Sequence, residues 1–170
     1  MSSGRRRRLP RRFTFAGAIV RGVECFNLLS GDLPHASERD GYRYGVTRVG
    51  DRLGGTQIGG SVYQLAAGEK TFPYHFHHGV EEWLLVLDGR PTVRTPEGER
   101  ELRRGDVVCF PSGAEGAHAV TGPGRVLVLS ANRSPSISVY PDSDKLGTRP
   151  GGDDHLNFRR SDAVDYWDGE

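Results

Sequence analysis

The hydrophobic positions of this chain fall in short runs that no helical period sustains. Residues 61–66, 73–77, 82–88, 91–95, 99–103, 106–110, 117–120 and 125–130 read as strands, with apolar side chains alternating with polar ones or briefly continuous. Between them stand Ala67-Gly68, Asp88-Gly89, Pro96-Glu97-Gly98, Arg104-Gly105-Asp106, Pro111-Ser112-Gly113 and Gly122-Pro123-Gly124. These residues preset or permit the dihedrals of tight turns. Turn signals spaced about 8–12 residues apart are what an all-β sandwich or barrel produces. No 3.6-residue apolar period lasts long enough for a major helix, and there is no internal repeat.

The flanks differ from this centre. Residues 13–55 hold short extended pieces such as Tyr42-Arg43-Tyr44-Gly45-Val46-Thr47 between glycine- and charge-rich turns, and are expected to pack on the β-rich region 56–130. Residues 131–170 are broken by Ser134-Pro135, Tyr140-Pro141 and Pro150-Gly151-Gly152, yet end in Tyr166-Trp167. Large aromatics are rare in disordered tails, so this extension is expected to dock on the barrel or on a partner subunit. A helical turn is expected to start at Ser161, a good N-cap.

Composition narrows the class. The chain has 170 residues, enough for one domain with a core, and its 24 glycines and 10 prolines favour many turns. The formal net charge is +1, which gives no overall case for nucleic-acid binding. Basic charge is concentrated at Arg5, Arg6, Arg7, Arg8, Arg11 and Arg12. Residues 1–12 are expected to be a solvated, disordered tail; an early translation start would read the same way, and a nucleic-acid- or anion-binding arm is the alternative. A twin-arginine export signal does not fit, because Arg21 and Glu24 interrupt the apolar stretch that should follow. No run approaches the roughly 20 apolar residues of a membrane span, so the expectation is a cytoplasmic protein with no membrane partner. Cys25 and Cys109 form no CxxC pair, and nothing requires a disulfide. Cys109, inside Val107–Phe110, is expected to be a buried small hydrophobe.

The chemistry is concentrated in two stretches. In Tyr74-His75-Phe76-His77-His78-Gly79-Val80-Glu81-Glu82, His75 and His77 are two apart, so on an extended chain both leave the same face. Their Cα atoms then lie roughly 6.6 Å apart, close enough for both imidazoles to lean onto one ion. Glu82 shares residue parity with Leu84 and Val86 and can add an oxygen from the next strand. Glu81 has the other parity and is expected to support the ligands or sit in solvent. His78 points away from His77. His118 follows a strand and tight turn, Gly105–Gly113, that can present its imidazole toward the interior.

Both stretches resemble the two sequence motifs of the cupin family, specifically the small single-domain cupins. Gly68, His75, His77, Glu82 and Gly89 match the first motif, with one residue more than usual before His75. Gly105, Pro111, Gly113 and His118 match the second, with a longer spacer before His118 and Gly122 where the family has Asn. The resemblance covers about residues 56–130. It implies a cupin jelly-roll β-barrel (double-stranded β-helix) and a metal held by His75, His77, Glu82 and His118. It also makes a homodimer the expected assembly.

Three imidazoles and one carboxylate, with no thiolate, point away from iron–sulfur clusters and structural zinc. An octahedral ion would keep two further positions, which suits Fe(II), Mn(II) or Ni(II); Zn(II) is admissible but more often stops at four ligands. Tyr63, Gln64, Arg94 and Arg125 are candidates for contact with a small polar ligand, and Glu81 and Tyr63 for proton transfer. Tyr74 and Trp83 read as packing residues. Two functions follow. One is a metal-dependent isomerase or dioxygenase acting on a small sugar-like or organic-acid substrate. The other is a non-catalytic module that binds or senses a small molecule; no helix-turn-helix accompanies it in residues 1–55.

Overall fold

Alternation along the strands builds a sheet buried on both faces. The computed structural model describes residues 23–151 and 154–170; the basic tail expected at 1–12 lies outside them. Thirteen strands follow in order: β1 (His35–Arg39), β2 (Tyr42–Arg48), β3 (Ile58–Leu65), β4 (Phe76–His78), β5 (Glu82–Gly89), β6 (Thr92–Thr95), β7 (Gly98–Glu101), β8 (Val107–Phe110), β9 (Ala119–Thr121), β10 (Gly124–Ala131), β11 (Ser136–Tyr140), β12 (Lys145–Arg149) and β13 (Leu156–Arg159). A single helical turn, α1 (Val49–Arg52), follows β2. Among the described residues no helix is long and apolar enough to cross a membrane.

The strands form an antiparallel six-stranded sheet, β1-β2-β3-β10-β5-β8, a four-stranded sheet, β13-β12-β11-β4, and a three-stranded sheet, β7-β6-β9. This is the expected all-β jelly-roll fold. Its backbone ladder is split into three sheets rather than running round one closed shell. Among the described residues, the isolated pairings Lys70↔Thr121 and His75↔His118 lie between them. β4 is three residues long, and Pro73 just before it has no N–H to extend the ladder.

On the inner face of the large sheet, the pairing Val46–Tyr63–Val126–Val86 forms one apolar row. The next row is Arg48–Ser61–Val128–Leu84–Val108, and the last is Gly59–Ser130–Glu82–Phe110. The face therefore passes from bulky apolar residues to small polar ones around Glu82. Tyr63, Leu65, Leu84, Val86, Val93, Leu102, Phe110, Val120 and Val126 make the main core. Full burial of an aliphatic side chain such as Leu84 contributes about 1.5–3 kcal/mol. On the outer face Val62, Leu87, Leu127 and Val49 pack under Phe26, Leu28 and Leu33. The Arg125 guanidinium pins that cover by donating to the carbonyls of Leu28 and Gly31, both at 2.7 Å.

Several expectations need correction. Cys109 is exposed, because β8 turns only Val108 and Phe110 inward and leaves Val107 and Cys109 outside; both cysteines are free. Trp83 is also outside, with its indole N–H donating to Glu81 at 2.7 Å. Tyr74 lies half-buried under the Arg94 guanidinium, 3.9 Å from its ring centre. In the C-terminal extension, β11 pairs with β4 and β13 with β12. Beyond β13, Tyr166 is 84% and Trp167 71% exposed on the single chain, which leaves them free for the partner-subunit docking also expected. A 3-10 turn spans Arg160–Asp162, and the Ser161 hydroxyl donates to Asp162 instead of capping it.

Candidate metal centre

The backbone brings the two motifs together before any side chain does. His75 donates its N–H to the His118 carbonyl at 3.0 Å, and His118 returns its N–H to the His75 carbonyl at 2.8 Å. Two residues on, the Pro111-Ser112-Gly113 turn clasps His77: the Gly113 N–H and the Ser112 hydroxyl both donate to its carbonyl, at 2.8 and 3.2 Å. Close approach requires glycine at two points nearby. A Cβ on Gly116 would fall 1.8 Å from the Pro111 carbonyl oxygen. A Cβ on Gly122 would fall 2.3 Å from that of Ala66, so this chain cannot carry a side chain there.

Glu82 opens β5 and turns inward, while His77 comes from β4 and His75 and His118 from the bridge beside it. The Oε2 atom of Glu82 lies 3.3 Å from His77 Nε2, 3.3 Å from His118 Nε2 and 3.8 Å from His75 Nε2. The ligand atoms of His75, His77 and Glu82 all lie within 4.8 Å of one another. Each imidazole is held from behind. His75 Nδ1–H donates to the Pro73 carbonyl at 2.9 Å, and His118 Nδ1–H to that of Gly116 at 2.8 Å. His77 Nδ1 contacts the Ser138 hydroxyl at 3.0 Å. Phe110 stacks flat on His118, with ring centres 3.7 Å apart. His78 faces outward and is exposed.

A carbonyl only accepts, so the neutral tautomers of His75 and His118 carry their proton on Nδ1 and present a bare Nε2 to the interior. Nitrogen lone pairs then face a carboxylate oxygen across less than 4 Å, an arrangement that calls for a positive charge between them. Burial, followed by neighbouring His118 and His77, lowers His75 to about 4, so its imidazole is neutral near pH 7. Without an ion, a proton on Nε2 of His118 or His77 would face the Glu82 carboxylate instead; burial raises Glu82, but hydrogen bonds of that kind from His118 and His77 outweigh it and hold the group well below the usual carboxylate range. Neutral imidazoles with one anionic oxygen fit a divalent cation of borderline softness.

Beside the Glu82–His77 edge opens a cavity of about 450 Å³. Its lining includes Ser61, Tyr63, Ser130, Ser136 and Ser138, together with Arg48 and Arg149. Tyr63, expected to contact a ligand, does face this space; burial is the main cause pushing its phenol up to about 12. The other three candidates lie elsewhere. Gln64 is one residue from Tyr63 on the same strand and so takes the opposite face, reaching the Gly124 carbonyl. Arg94 makes a bidentate ion pair with Asp142 at 2.6 and 3.0 Å. Arg125 holds the N-terminal cover. Glu81 is exposed on the outer face beside Trp83, away from the cavity. Sequence reasoning missed Arg48 and Arg149, whose only signal was their position at strand ends.

Residues 61–131 match the family model described as a cupin domain. Among solved structures, the fold is similar to that of a proposed sugar phosphate isomerase from Acidithiobacillus ferrooxidans, with TM-score 0.67, 26% identity, and 73% of this chain and 81% of that one covered. It is also similar to a cupin-superfamily sugar phosphate isomerase from Silicibacter pomeroyi, with TM-score 0.66, 23% identity, and 73% and 80% covered. The latter likeness speaks for the fold alone. No curated protein matches the chain.

Proposed function

This chain is a cupin-domain protein, with that domain at residues 61–131, and from that premise we propose that it is a metal-dependent enzyme acting on a small, polar, sugar-like or organic-acid substrate. The observation that carries the proposal is the set of three imidazoles whose Nε2 atoms lie within 4 Å of one Glu82 oxygen, with each Nδ1 engaged behind. His75, His77, Glu82 and His118 are the proposed ligands of one divalent transition metal, with Fe(II), Mn(II) or Ni(II) preferred over Zn(II). When bound, such an ion supplies a Lewis acid that polarises a carbonyl or hydroxyl oxygen.

The chain's own residues do the rest. The cavity admits a small polar molecule against the Glu82–His77 edge. Tyr63 keeps its proton through the neutral range and can donate a hydrogen bond to a substrate oxygen. Serines 61, 130 and 136 offer hydroxyls to a hydroxylated ligand. Isomerisation is preferred over dioxygenation, supported by the likeness to the proposed sugar phosphate isomerase. The proposed assembly is a homodimer; a species of single-chain mass in sedimentation velocity would exclude it.

The test is a screen of sugar phosphates, free sugars and keto acids against protein loaded with Fe(II), Mn(II) or Ni(II). Metal-dependent turnover, lost in Glu82→Gln, is the expected result. Ligand binding with no turnover for any substrate would instead favour the non-catalytic binding module.

A further inference from the structure

The cavity beside the metal centre has charged walls at its far end. Arg48 ends β2 and pairs with Ser61, in the row next to the one that holds Glu82. Arg149 ends β12 and pairs with Ser136; two residues back on these strands, Ser138 pairs with Gly147 on one side and His77 on the other. Strand parity therefore puts Arg149 on the same face of its sheet as His77, and Arg48 on the same face of its sheet as Glu82. The two arginines thus enter one cavity from two different sheets. His155 joins them, and Asp51 is the one carboxylate besides Glu82 in the lining.

Among the described residues, neither Arg48 nor Arg149 has a carboxylate within 4.0 Å, whereas Arg43, Arg90, Arg94 and Arg160 each do. Two guanidinium groups facing one cavity repel each other unless an anion lies between them. Arg48 also acts on the Tyr63 hydroxyl, where its charge opposes the effect of burial, so its field extends into the cavity.

We propose that Arg48 and Arg149 bind the phosphate of a phosphorylated substrate whose other end lies at the Glu82–His77 edge. This rests on the metal-centre reading above and specifies its substrate class. Three strand spacings separate Arg48 from Glu82, roughly 14 Å of backbone; Arg149 lies roughly 12 Å from His77 along the other sheet. That separation, with both arginines lining the cavity, leaves room for a ligand of several carbons between phosphate and metal site. A phosphate monoester carries close to two negative charges at pH 7, matching two guanidinium groups, and its oxygens suit their forked donors.

The test is calorimetric titration of the purified, metal-loaded full chain with glycerol 3-phosphate, glycerol, glycerate and inorganic phosphate, with metal content measured on every sample. The comparison variant is Arg48→Gln/Arg149→Gln, both sites exposed and outside the ligand set. The expected result is binding of glycerol 3-phosphate more tightly than glycerol or glycerate, weakened at least about tenfold in the double variant at unchanged metal content. Phosphate held only by the metal would bind wild type and double variant alike, and that result would overturn the proposal. So would tighter binding of glycerate, or no phosphate binding by metal-loaded protein. Absence of metal from wild-type protein would instead strike the metal-centre reading, so the two failures are told apart.

Discussion

His75 and His118 exchange backbone hydrogen bonds in both directions, at 3.0 and 2.8 Å, although 43 positions apart in the chain. This isolated bridge joins the two halves of the candidate metal centre outside the named strands. Removing either imidazole leaves that backbone contact in place while deleting a proposed ligand. His75→Ala and His118→Ala should therefore fold yet retain far less metal than wild type, by elemental analysis after dialysis. Full metal in both variants would remove them from the ligand set.

Ser138 offers a subtler probe. Its hydroxyl contacts His77 Nδ1 at 3.0 Å from the neighbouring strand. Groups that orient a ligating imidazole typically contribute 10–100-fold to metal affinity. Ser138→Ala should weaken metal binding by about that factor in a competition titration, with little change in melting temperature of the metal-free protein. Unchanged affinity would show that β4 alone orients His77.

Acid should destabilise the metal-free protein. In the unfolded chain His75 takes up a proton near its ordinary 6.5; in the folded protein it does so only near 4. Between these values the unfolded state binds more protons, so stability falls as pH drops, by on the order of 3 kcal/mol across the window. Glu82, held below the usual carboxylate range, adds loss of the same sign at lower pH. Melting temperatures of metal-free protein should decline steadily from pH 7 to 4, and His75→Ala should flatten the upper part of that decline.

Arg125 serves the fold rather than the site. Arg125→Ala removes two charge-assisted hydrogen bonds to the carbonyls of Leu28 and Gly31 and should cost about 2–4 kcal/mol. Chemical denaturation measures that loss, while metal content should stay at the wild-type level. A drop in metal content without a drop in stability would place Arg125 in the site after all.

Much of this architecture was legible in local pattern. Turn residues at regular intervals located β3 through β10 to within a few positions, because turn dihedrals constrain residue choice strongly. Parity placed His75 and His77 together and Glu82 on an inward face. Parity also shows where reading fails: Tyr63 and Gln64 are neighbours on one strand and cannot share a face. Cys109 looked buried because its run is apolar, yet a strand covered on one face exposes alternate residues regardless of composition. Arg94 meets Asp142, and Arg125 meets Leu28, across long sequence separations that carry no local signal. Arg48 and Arg149 share a cavity only because two sheets face each other. Tyr166 and Trp167 are exposed on the single chain, and docking of this segment on a partner subunit stands as a proposal.

The most direct test is a titration of metal-free wild-type protein with Mn(II), Fe(II), Ni(II) and Zn(II), reading stoichiometry and melting temperature together. One ion bound per chain, with a clear rise in melting temperature, is the predicted result, since an ion bound only by the folded state stabilises it. No stoichiometric binding of any of the four ions, in protein shown to be folded, would contradict the account.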